Sequence, residues 1–554
     1  MHSSRSHRFT PAIVAILITI CLGAGLRTIA LDRVPLGFNQ DEACNGYDAY
    51  SLFTTAHDHR GNFLPIAIQA FNDYRMPLFD YSIGPLVGIF GLKPWIVRLG
   101  AALWGIADLI AIGLLCAELL DPSAAVVAVF LVAVSPWHLM LSRFGHEAIT
   151  ASATVDWAIA GFLVAINRRD QRWLTASAIL FGLSLYSYSI TKLFTPLIIV
   201  WIAILYRREI KPLARSAINS TKWFVLIVIP QLWLLIARGG TIQAHYRQMS
   251  VLSGENGIGR LAFNWLDHFS PSNLFGTGSS VFGAPHDLTL LFAGQAILSA
   301  IGFSALLSHQ WRKEAIFLIG WLAAAAIPGA MIKPAPSLHP LHDILLVVPW
   351  AILSALGMVV LLSLRKATAS VESEPVVPAR PRLMRQAGPL IACVAILMVL
   401  VQASISAAYY FTGFSETRES FFQYGVKDLI DEAQKLAPPE VPIVMPLTIN
   451  QPYIYVLFHN SYPPRAFYSK TAVGGEHLFG SVLAFDRYDF GDPWLGFKRL
   501  PHGVFVFPKT LVRPQDPMQP FSPAKETVTT FADPPAAPAA TFHFGRDVYS
   551  IVVK

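Results

Sequence analysis

The stretch ILLVVPWAILSALGMVVLL, from Ile344 to Leu362, contains no charged side chain and decides the class of the fold. At a rise of about 1.5 Å per residue, a helix of about 20 apolar residues crosses the hydrocarbon core of a bilayer. The stretch is therefore predicted to be a transmembrane helix, and similar runs recur along the chain. About eleven spans are predicted, at residues 9–30, 95–117, 122–142, 147–166, 172–189, 191–206, 219–237, 287–308, 314–332, 340–364 and 387–410.

The composition of the whole chain also indicates a membrane protein. Of its 554 residues, 54% are hydrophobic and 14% are charged, and the mean hydropathy is +0.48. Soluble domains carry about 25% charged residues, so an ordinary soluble protein is excluded. The 37 glycines and 39 prolines follow no period, which excludes a collagen-like chain. The four cysteines show no CxxC spacing, so neither a disulfide framework nor a zinc site is predicted.

The distribution of basic residues predicts the orientation of the chain. Clusters of Lys and Arg are retained on the cytoplasmic side, and here they recur on alternate loops, at residues 5–8, 168–172, 207–215, 312–313 and 365–385. We therefore expect a multi-pass protein of the plasma (inner) membrane, with a cytoplasmic N-terminus and an exoplasmic C-terminus. Because these charges have a topological role, the net charge of +7 identifies no partner. We expect membrane lipids and no nucleic acid as partners.

The sequence predicts two domains. Residues 1–411 would form an all-α polytopic membrane domain with two long exoplasmic loops, at 31–94 and 238–286. Residues 412–554 have a water-soluble pattern and would form a small C-terminal exoplasmic α/β domain. Within it, Lys427 to Leu436 is predicted to be an amphipathic helix, whereas VPIVMPL, YIYVLF, GVFVF and VYSIVV are predicted to be strands.

An acidic pair, Asp41 and Glu42, follows the first predicted span by roughly ten residues. A carboxylate at the boundary between water and lipid is partly desolvated, which can raise its pKa toward the value suited to a general base. Alternatively, Asp41 caps an amphipathic helix, and Glu42 lies in its first turn, where the helix dipole favours negative charge. Capping and catalysis do not exclude each other.

Four further motifs resemble a known superfamily. They are GNFxP at 61–65, NDYxxPLxxY at 72–81, FGLxxxxVRL at 90–99 and SPWHLxxSRF at 135–144. Together with the acidic pair, they resemble the GT-C superfamily of integral-membrane glycosyltransferases, over roughly residues 1–350. The branch that they resemble most contains the protein-mannosyltransferase-like and aminoarabinose-transferase-like enzymes. The resemblance implies a GT-C fold for the membrane domain.

The resemblance also implies an activity. A sugar would move with inversion from a polyprenyl-phosphate donor to a hydroxyl acceptor, on a protein, lipid or glycan, at the exoplasmic face. Asp41 would be the catalytic base that deprotonates the acceptor, and Glu42 would support it. This assignment is chemically reasonable, because a hydroxyl nucleophile needs a carboxylate for its proton while the phosphate leaving group needs cationic or hydrogen-bonding stabilisation.

Four residues are candidates for binding the donor phosphate. Lys192 matches a basic position that the family places after a Tyr-rich helix end, although it could instead be a lysine that extends to the interface. Arg143 could contact the donor or pair with Glu147. His339 and His342 stand where relatives often have a His-x-x-Arg arrangement. Histidine in place of arginine weakens this assignment, because a neutral imidazole donates one hydrogen bond.

The acceptor side has three candidates. Glu147 resembles the second exoplasmic acid of the family, and its alternative role is a charge at a helix N-terminus. Asp73 and Tyr74 lie in the NDYxxPLxxY motif. No metal site is predicted, although the resemblance allows a divalent cation. The sequence HDH at 57–59 is conceivable as a ligand set, but adjacent loop residues are poor joint ligands and a solvated loop is favoured.

A second class of function is a polytopic lipid or glycan transporter or flippase without transferase activity. A transporter would carry ionisable residues or broken helices near the middle of the bilayer. Most charges of this chain collect at the ends of the predicted spans, and Asp108 and Asp156 are the main exceptions. A third possibility is an assembly or scaffold protein with a degenerate site.

Overall fold

The structure is a computed structural model of the chain. It describes residues 3–71, 73–242, 250–275, 289–332, 338–369, 382–414, 421–470, 472–474, 481–514, 526–544 and 547–554. Helices dominate up to residue 412, and most of the strands lie beyond residue 440.

The helices are numbered in chain order. Those up to residue 412 are α1 Ser3–Thr28, α2 Gln40–Thr55, α3 Leu78–Phe90, α4 Pro94–Leu119, α5 Pro122–Val134, α6 Pro136–Leu141, α7 Ala148–Arg168, α8 Gln171–Ser184, α9 Thr191–Leu205, α10 Arg207–Ile210, α11 Ala214–Ile242, α12 Gly257–Asp267, α13 Pro271–Leu274, α14 Ala293–Phe303, α15 Arg312–Ala330, α16 Val347–Ala369 and α17 Arg382–Thr412. Those that follow are α18 Val426–Leu436, α19 Pro452–His459, α20 Pro464–Lys470 and α21 Pro493–Arg499.

In the part of the chain that the structure describes, seven helices are long and apolar enough to cross a membrane. They are Pro11–Thr28, Pro94–Leu119, Ala148–Arg168, Arg207–Ala237, Arg312–Ala330, Ile344–Ser363 and Ala387–Thr412. Shorter apolar helices lie at Leu78–Phe90, Pro122–Val134, Thr191–Leu205 and Ala293–Leu307. The prediction of an integral multi-pass membrane protein is confirmed, while the count of about eleven spans stays a prediction.

One predicted span is divided, and one predicted loop contains two helices. The span at 122–142 is divided into α5 and α6 at Ser135, because Pro136 lacks a backbone donor and begins a new helix. The predicted loop 31–94 contains two helices, α2 and α3, of which α3 is short and apolar. Loop 31–94 is therefore largely ordered against the neighbouring helices rather than open.

Close packing between α14 and α16 depends on glycine. A Cβ atom on Gly357 would lie 1.9 Å from the carbonyl oxygen of Leu298, and one on Gly302 would lie 2.2 Å from that of Leu353. Any larger residue at these positions would push the two helices apart. Such contacts are typical of membrane helices, where backbones approach closely because packing, rather than burial from water, holds them together.

The strands form two sheets. The small sheet is an antiparallel hairpin of β1 Ile68–Ala70 and β2 Asp73–Arg75. The large sheet contains β3 Ile443–Met445, β4 Ala472–Gly474, β5 Ser481–Phe485, β6 Tyr488–Phe490, β7 Val504–Pro514, β8 Glu526–Thr530, β9 Ala540–Phe544 and β10 Asp547–Val553. Its order is β4-β5-β6-β3-β7-β10-β9, with β8 paired to β7. Strand β3 is parallel to β6 and β7, and the other pairs are antiparallel.

Most elements predicted beyond residue 412 are present, but one is wrong. The amphipathic helix is α18, and the strands predicted in VPIVMPL, GVFVF and VYSIVV are β3, β7 and β10. The segment YIYVLF is not a strand but part of helix α19. Its aromatic and β-branched residues favour a strand, but a short, wholly apolar run is equally compatible with a buried helix, and Pro452 starts that helix.

Helix α19 and helix α2 of the first loop share one hydrophobic core. Phe458 lies with its ring centroid 4.7 Å from that of Phe38. A Cβ atom on Gly46 of α2 would lie 2.6 Å from the Phe458 ring. The hydroxyl of Tyr47 donates to the carbonyl of Tyr462 over 2.8 Å. The residues after 420, here called the C-terminal segment, therefore pack directly on the loop that carries Asp41.

This shared core predicts the effect of a cavity. Phe458→Ala should lower the free energy of unfolding by about 3–5 kcal/mol, because the ring is fully buried against α2. Leu495→Ala is the matched control in the C-terminal segment, since Leu495 is 42% exposed and should cost about 0.5 kcal/mol or less. Unfolding of the purified protein in detergent measures both. Equal losses in the two variants would contradict the shared core.

Candidate functional site

The N-terminus of α2 is capped by Asn39. Its side-chain oxygen accepts a hydrogen bond from the backbone N–H of Asp41 at 2.9 Å, and its own N–H donates to Glu42 Oε2 at 3.0 Å. The alternative role of Asp41 as the helix cap is therefore wrong, because Asn39 provides the capping oxygen. Glu42 lies in the first turn, as that alternative stated. The carboxylate of Asp41 is left without a capping role.

Glu42 is completely buried and fully hydrogen-bonded. Arg98 of α4 donates a hydrogen bond to each oxygen of Glu42. Nε lies 2.9 Å from Oε1, and an Nη atom lies 3.1 Å from Oε2. The backbone N–H groups of Gly145 and Asn39 donate to the same carboxylate at 2.9 and 3.0 Å. With four donors on two oxygens, Glu42 joins α2 to α4 and to the segment before α7, which suits a supporting residue.

Asp41 differs from its neighbour, because its carboxylate accepts no hydrogen bond from the described residues. Burial raises the pKa of Asp41 above its ordinary value. His146 and Arg75 oppose this shift, whereas Glu147 and Glu42 add to it. An unpaired carboxylate with a raised pKa has the properties of a general base.

Three histidines, a tyrosine and an acid are linked to one another, and His146, Glu147 and Tyr188 among them interact electrostatically with Asp41. The ring of Tyr188 lies 5.5 Å from that of His146 and 5.8 Å from that of His342, and His339 lies 4.4 Å from His342. Asp41 and Glu147 act electrostatically on Tyr188. We call these six residues the Asp41 cluster; they are Asp41, His146, Glu147, Tyr188, His339 and His342.

His339 is positioned by Asp343, which also lies close to His268. Asp343 accepts from the backbone N–H of His339 over 2.7 Å and lies 3.2 Å from Nε2 of His268. Burial lowers the pKa of His339 well below its ordinary value, and His342 and His146 add to the effect. His339 is therefore neutral near pH 7 and can donate one hydrogen bond to an anionic ligand.

Glu147 stands at the start of α7, as its alternative role required. It occupies the N-cap position, but its side chain does not cap the helix. Instead, one oxygen lies 3.3 Å from Nδ2 of Asn45 and 3.5 Å from Nδ1 of His146. These contacts direct Glu147 toward α2 and the Asp41 cluster.

Lys192, Asp73 and Tyr74 lie at the edge of the site. Lys192 is exposed in the first turn of α9, and Asp73 acts on it electrostatically. Asp73 and Tyr74 are both half-buried in strand β2. Tyr74 also packs in a small apolar cluster with Leu234 of α11. This arrangement brings one cation and one acid together beside the cluster.

Arg143 does not form the predicted pair with Glu147. Its guanidinium donates to the carbonyls of Leu26 and Val34, each over 2.9 Å, and it lies over the ring of Phe411. It is fully buried. The contact of Arg143 with the donor phosphate stays a prediction, but these bonds favour a role in fixing the end of α1.

A buried charge network lies along α2, one to two turns beyond Asp41. Asp48 pairs with His59, whose Nδ1 lies 2.9 Å from it, and with Arg75, which also lies 3.0 Å from Asp80. Burial would raise the pKa of Asp48, but His59 and Arg75 outweigh it and hold that pKa well below its ordinary value. The sequence favoured a solvated loop at 57–59. That prediction is wrong for Asp58 and His59, which are both fully buried.

One group in the described residues has the composition of a metal site. Possible ligand atoms of Cys44, Asp48 and His59 lie within 4.8 Å of one another. Arg75 is already bonded to Asp48 and supplies a positive charge there. We therefore interpret this group as part of an ion-pair network.

Sequence reasoning gave no role to Arg98, Arg75 or Tyr188. Arg98 and Arg75 were inside quoted motifs, VRL and NDYxxPL, and an arginine at the start of an apolar helix is a signal for a buried partner. Tyr188 follows α8 in a Tyr-rich segment. Their partners are distant in sequence, so spacing could not identify them.

Comparisons with known proteins find a family model and solved structures that are similar to the chain. The family model for dolichyl-phosphate-mannose-protein mannosyltransferase matches residues 75–234. No curated protein sequence matches the chain. ArnT from Cupriavidus metallidurans, in a crystal structure bound to undecaprenyl phosphate, is similar with a TM-score of 0.52 and 13% identity, over 97% of each chain.

A second solved structure is also similar. The archaeal oligosaccharyltransferase AglB from Archaeoglobus fulgidus, in complex with an inhibitory peptide and a dolichol-phosphate, has a TM-score of 0.50 and 15% identity. The match covers 81% of this chain and 63% of that one. At such identities the likeness shows the fold, which is the GT-C fold of membrane glycosyltransferases. The predicted resemblance to the GT-C superfamily is confirmed.

The network around Asp48 predicts a loss of stability. Asp48→Asn leaves Arg75 with one acidic partner, and breaking a buried pair costs about 3–5 kcal/mol. Because the pKa of Asp48 is lower in the folded state, its contribution is full above about pH 4 and is lost as the pH falls further. Unfolding between pH 7 and pH 2.5 should show the two proteins converging below about pH 4. Asp32→Asn, at an exposed ion pair, should match the parent protein at each pH.

Proposed function

We propose that the chain is an inverting glycosyltransferase that moves a sugar from a polyprenyl-phosphate donor to a hydroxyl acceptor, with Asp41 as the general base. One observation carries the proposal. Of the two adjacent acids at the start of α2, Glu42 is fully bonded to Arg98 and backbone donors, whereas Asp41 accepts no hydrogen bond in the described part of the chain. Its raised pKa keeps it basic enough to take a proton.

The proposed reaction is a single displacement. The acceptor oxygen forms a bond to C1 of the sugar while the bond from C1 to the phosphate oxygen breaks, and the hydroxyl proton moves to Asp41. Polyprenyl phosphate leaves with the electron pair, and Asp41 later returns its proton to water. Because the nucleophile enters opposite the leaving group, the configuration at C1 inverts.

The phosphate leaving group needs donors or positive charge as it departs. His342 and His339 of the Asp41 cluster, with exposed Lys192 at its edge, are the proposed contacts. A neutral His339 contributes a hydrogen bond rather than a charge. Glu147 is proposed as the second acid, which orients the acceptor or the donor. Whether a divalent cation assists these acids stays a prediction of the resemblance.

The similar structures support the class of donor. ArnT was crystallised with undecaprenyl phosphate, and the AglB structure is a complex with a dolichol-phosphate; both ligands are polyprenyl phosphates. We propose that the reaction occurs at the exoplasmic face, with the N-terminus in the cytoplasm and the C-terminus outside. The acceptor would then be a protein, lipid or glycan of the cell envelope.

The transporter alternative gains no support from the acids inside the spans. Asp108 lies 2.9 Å from Nε2 of His138, whose Nδ1 lies 2.7 Å from Arg27. Asp156 accepts a hydrogen bond from the hydroxyl of Ser152 over 3.3 Å. Asp108, His138, Arg27 and Asp156 are each at most 1% exposed, and the contacts from Asp108 through His138 to Arg27 tie α1, α4 and α6 together.

Loss of the base should abolish transfer. Asp41→Asn should lower the rate of transfer by about 10²–10⁴-fold, the usual contribution of a general base. The measurement is transfer of label from a radiolabelled undecaprenyl-phosphate sugar to a cell-envelope extract. Asp32→Asn, an exposed acid of the same loop, is the control and should keep full activity. Undiminished transfer by Asp41→Asn would refute the assignment.

Replacing either of two neighbours of Asp41 should shift the pH dependence of the transfer rate, and the two shifts should have opposite directions. Transfer should fall as the pH drops through the raised pKa of Asp41, since protonation removes the base. Glu147→Gln removes a charge that raises this pKa, so the loss of transfer on the acid side should occur at lower pH. His146→Gln removes a group that lowers the pKa of Asp41, so the loss of transfer on the acid side should occur at higher pH. Rates of the residual activity against pH measure both shifts, and shifts in the same direction would contradict the proposed environment.

A further inference from the structure

Asn45 lies on the same face of helix α2 as Asp41. The two residues are four positions apart in the helix, so their side chains leave it one turn apart and in nearly the same direction. Asn45 is 1% exposed. Nδ2 of its amide donates to the carbonyl of Gly145 over 2.9 Å and to Oε2 of Glu147 over 3.3 Å. The amide therefore joins the face of α2 that carries Asp41 to Glu147.

The orientation of this amide is fixed by Gly145. A carbonyl oxygen accepts hydrogen bonds and cannot donate one, so the Asn45 atom that faces it must be the nitrogen. An amide nitrogen carries two hydrogen atoms, one for each of the two acceptors that it meets here. The same nitrogen is therefore the donor in the bond to Glu147.

His146 does not replace Asn45 as a donor to Glu147. Nδ1 of His146 lies 3.5 Å from the same oxygen, Oε2. This nitrogen accepts a hydrogen bond from the backbone N–H of Ala148 over 3.1 Å, so in the neutral imidazole it has no proton to donate. Among the described residues, Asn45 therefore supplies the hydrogen bond that directs the side chain of Glu147.

The backbone just before Glu147 is also held by α2. The N–H of Gly145 donates to Oε1 of Glu42 over 2.9 Å, and its carbonyl accepts from Asn45. A Cβ atom on Gly145 would lie 2.6 Å from Cγ1 of Val97, so this segment is packed tightly on α4 as well. Glu42 and Asn45 together fix the main chain that leads into Glu147, and Asn45 also fixes its side chain.

We infer that Asn45 is a positioning residue for the transfer reaction, and that its amide holds the carboxylate of Glu147 toward the face of α2 that carries Asp41. The inference rests on the proposed function, in which Asp41 is the base and Glu147 the second acid. It names the group that keeps these two acids in a fixed relation. Because a displacement of about 1 Å in a reacting arrangement can cost about 10²-fold in rate, loss of this bond has a measurable effect.

Two variants of the full-length protein test the inference. They are assayed with a radiolabelled undecaprenyl-phosphate sugar and a cell-envelope extract from cells that lack the protein. Asn45→Ala removes the amide and should lower the rate per folded protein, quantified by size-exclusion chromatography, by about 10–100-fold. Asn45→Asp keeps the size of the side chain but loses the donor, and its rate should fall at least as far. The parent rate in either variant would overturn the inference.

A double-mutant cycle tests whether Asn45 acts through Glu147. If it does, Asn45→Ala should cost nothing further in the Glu147→Ala background, because the group that it positions is absent. Losses that multiply, or a parent rate in Glu147→Ala alone, would overturn the inference and leave Asp41 as the base. A parent protein that transfers no label would instead contradict the proposed function, and the inference with it.

The pH dependence of transfer separates positioning from a general loss of stability. Burial raises the pKa of Asp41, Glu147 and Glu42 add to this effect, and His146 and Arg75 oppose it. A Glu147 side chain that is no longer held should raise this pKa less. In Asn45→Ala the loss of transfer on the acid side should therefore occur at lower pH than in the parent protein, and an unchanged pH dependence would contradict the inference.

Ser177→Ala is the matched control. Ser177 of α8 is buried, and its hydroxyl donates to the carbonyl of Ala158 over 2.7 Å, about three turns along α7 from Glu147. The variant therefore also removes one buried hydrogen bond to a carbonyl. It should keep the parent rate and the parent pH dependence. Changes as large as those in Asn45→Ala would show that any lost buried bond has this effect, and would overturn the inference.

Discussion

The ion pair between Glu42 and Arg98 organises the site. Neither side chain is exposed by more than 1%. Removing both charges from water is costly, and the cost is offset only when every donor and acceptor is satisfied. Here Arg98 also donates to the carbonyls of Pro35 and Gly37, at 2.8 and 2.7 Å, and Glu42 accepts from the backbone of Gly145. One pair therefore fixes the start of the first loop, the start of α2, helix α4 and the approach to α7.

This constraint separates two acids that are adjacent in sequence. Successive residues of a helix point about 100° apart, so when Glu42 faces α4 its neighbour must face elsewhere. Asn39 caps the helix, which leaves Asp41 without a structural bond. The sequence presents an acidic pair; the fold bonds Glu42 into the structure and leaves Asp41, the proposed base, without a hydrogen bond from the described residues.

The first loop is held from two sides. Helix α4 holds it through Arg98, and the C-terminal segment holds it through the shared core of α2 and α19. The predicted separation of a membrane domain from an exoplasmic domain does not describe this contact, because the loop belongs to the core of the segment that follows residue 420. A shared core explains how residues such as Phe458, far from α2 in the chain, can lie against it.

The sequence by itself determined the membrane character, most of the long helices and the candidacy of Asp41, because hydropathy and local motifs are properties of consecutive residues. It also singled out Glu147, His339 and His342, which the structure links to one another through His146 and Tyr188. It could not assign YIYVLF to a helix, since a short apolar run satisfies either period and packing against α2 decides between them. Nor could it show that Arg98 rather than water satisfies Glu42, or that Arg143 binds carbonyls of α1 rather than Glu147. Those outcomes depend on which distant groups are desolvated together, and only the tertiary structure decides that.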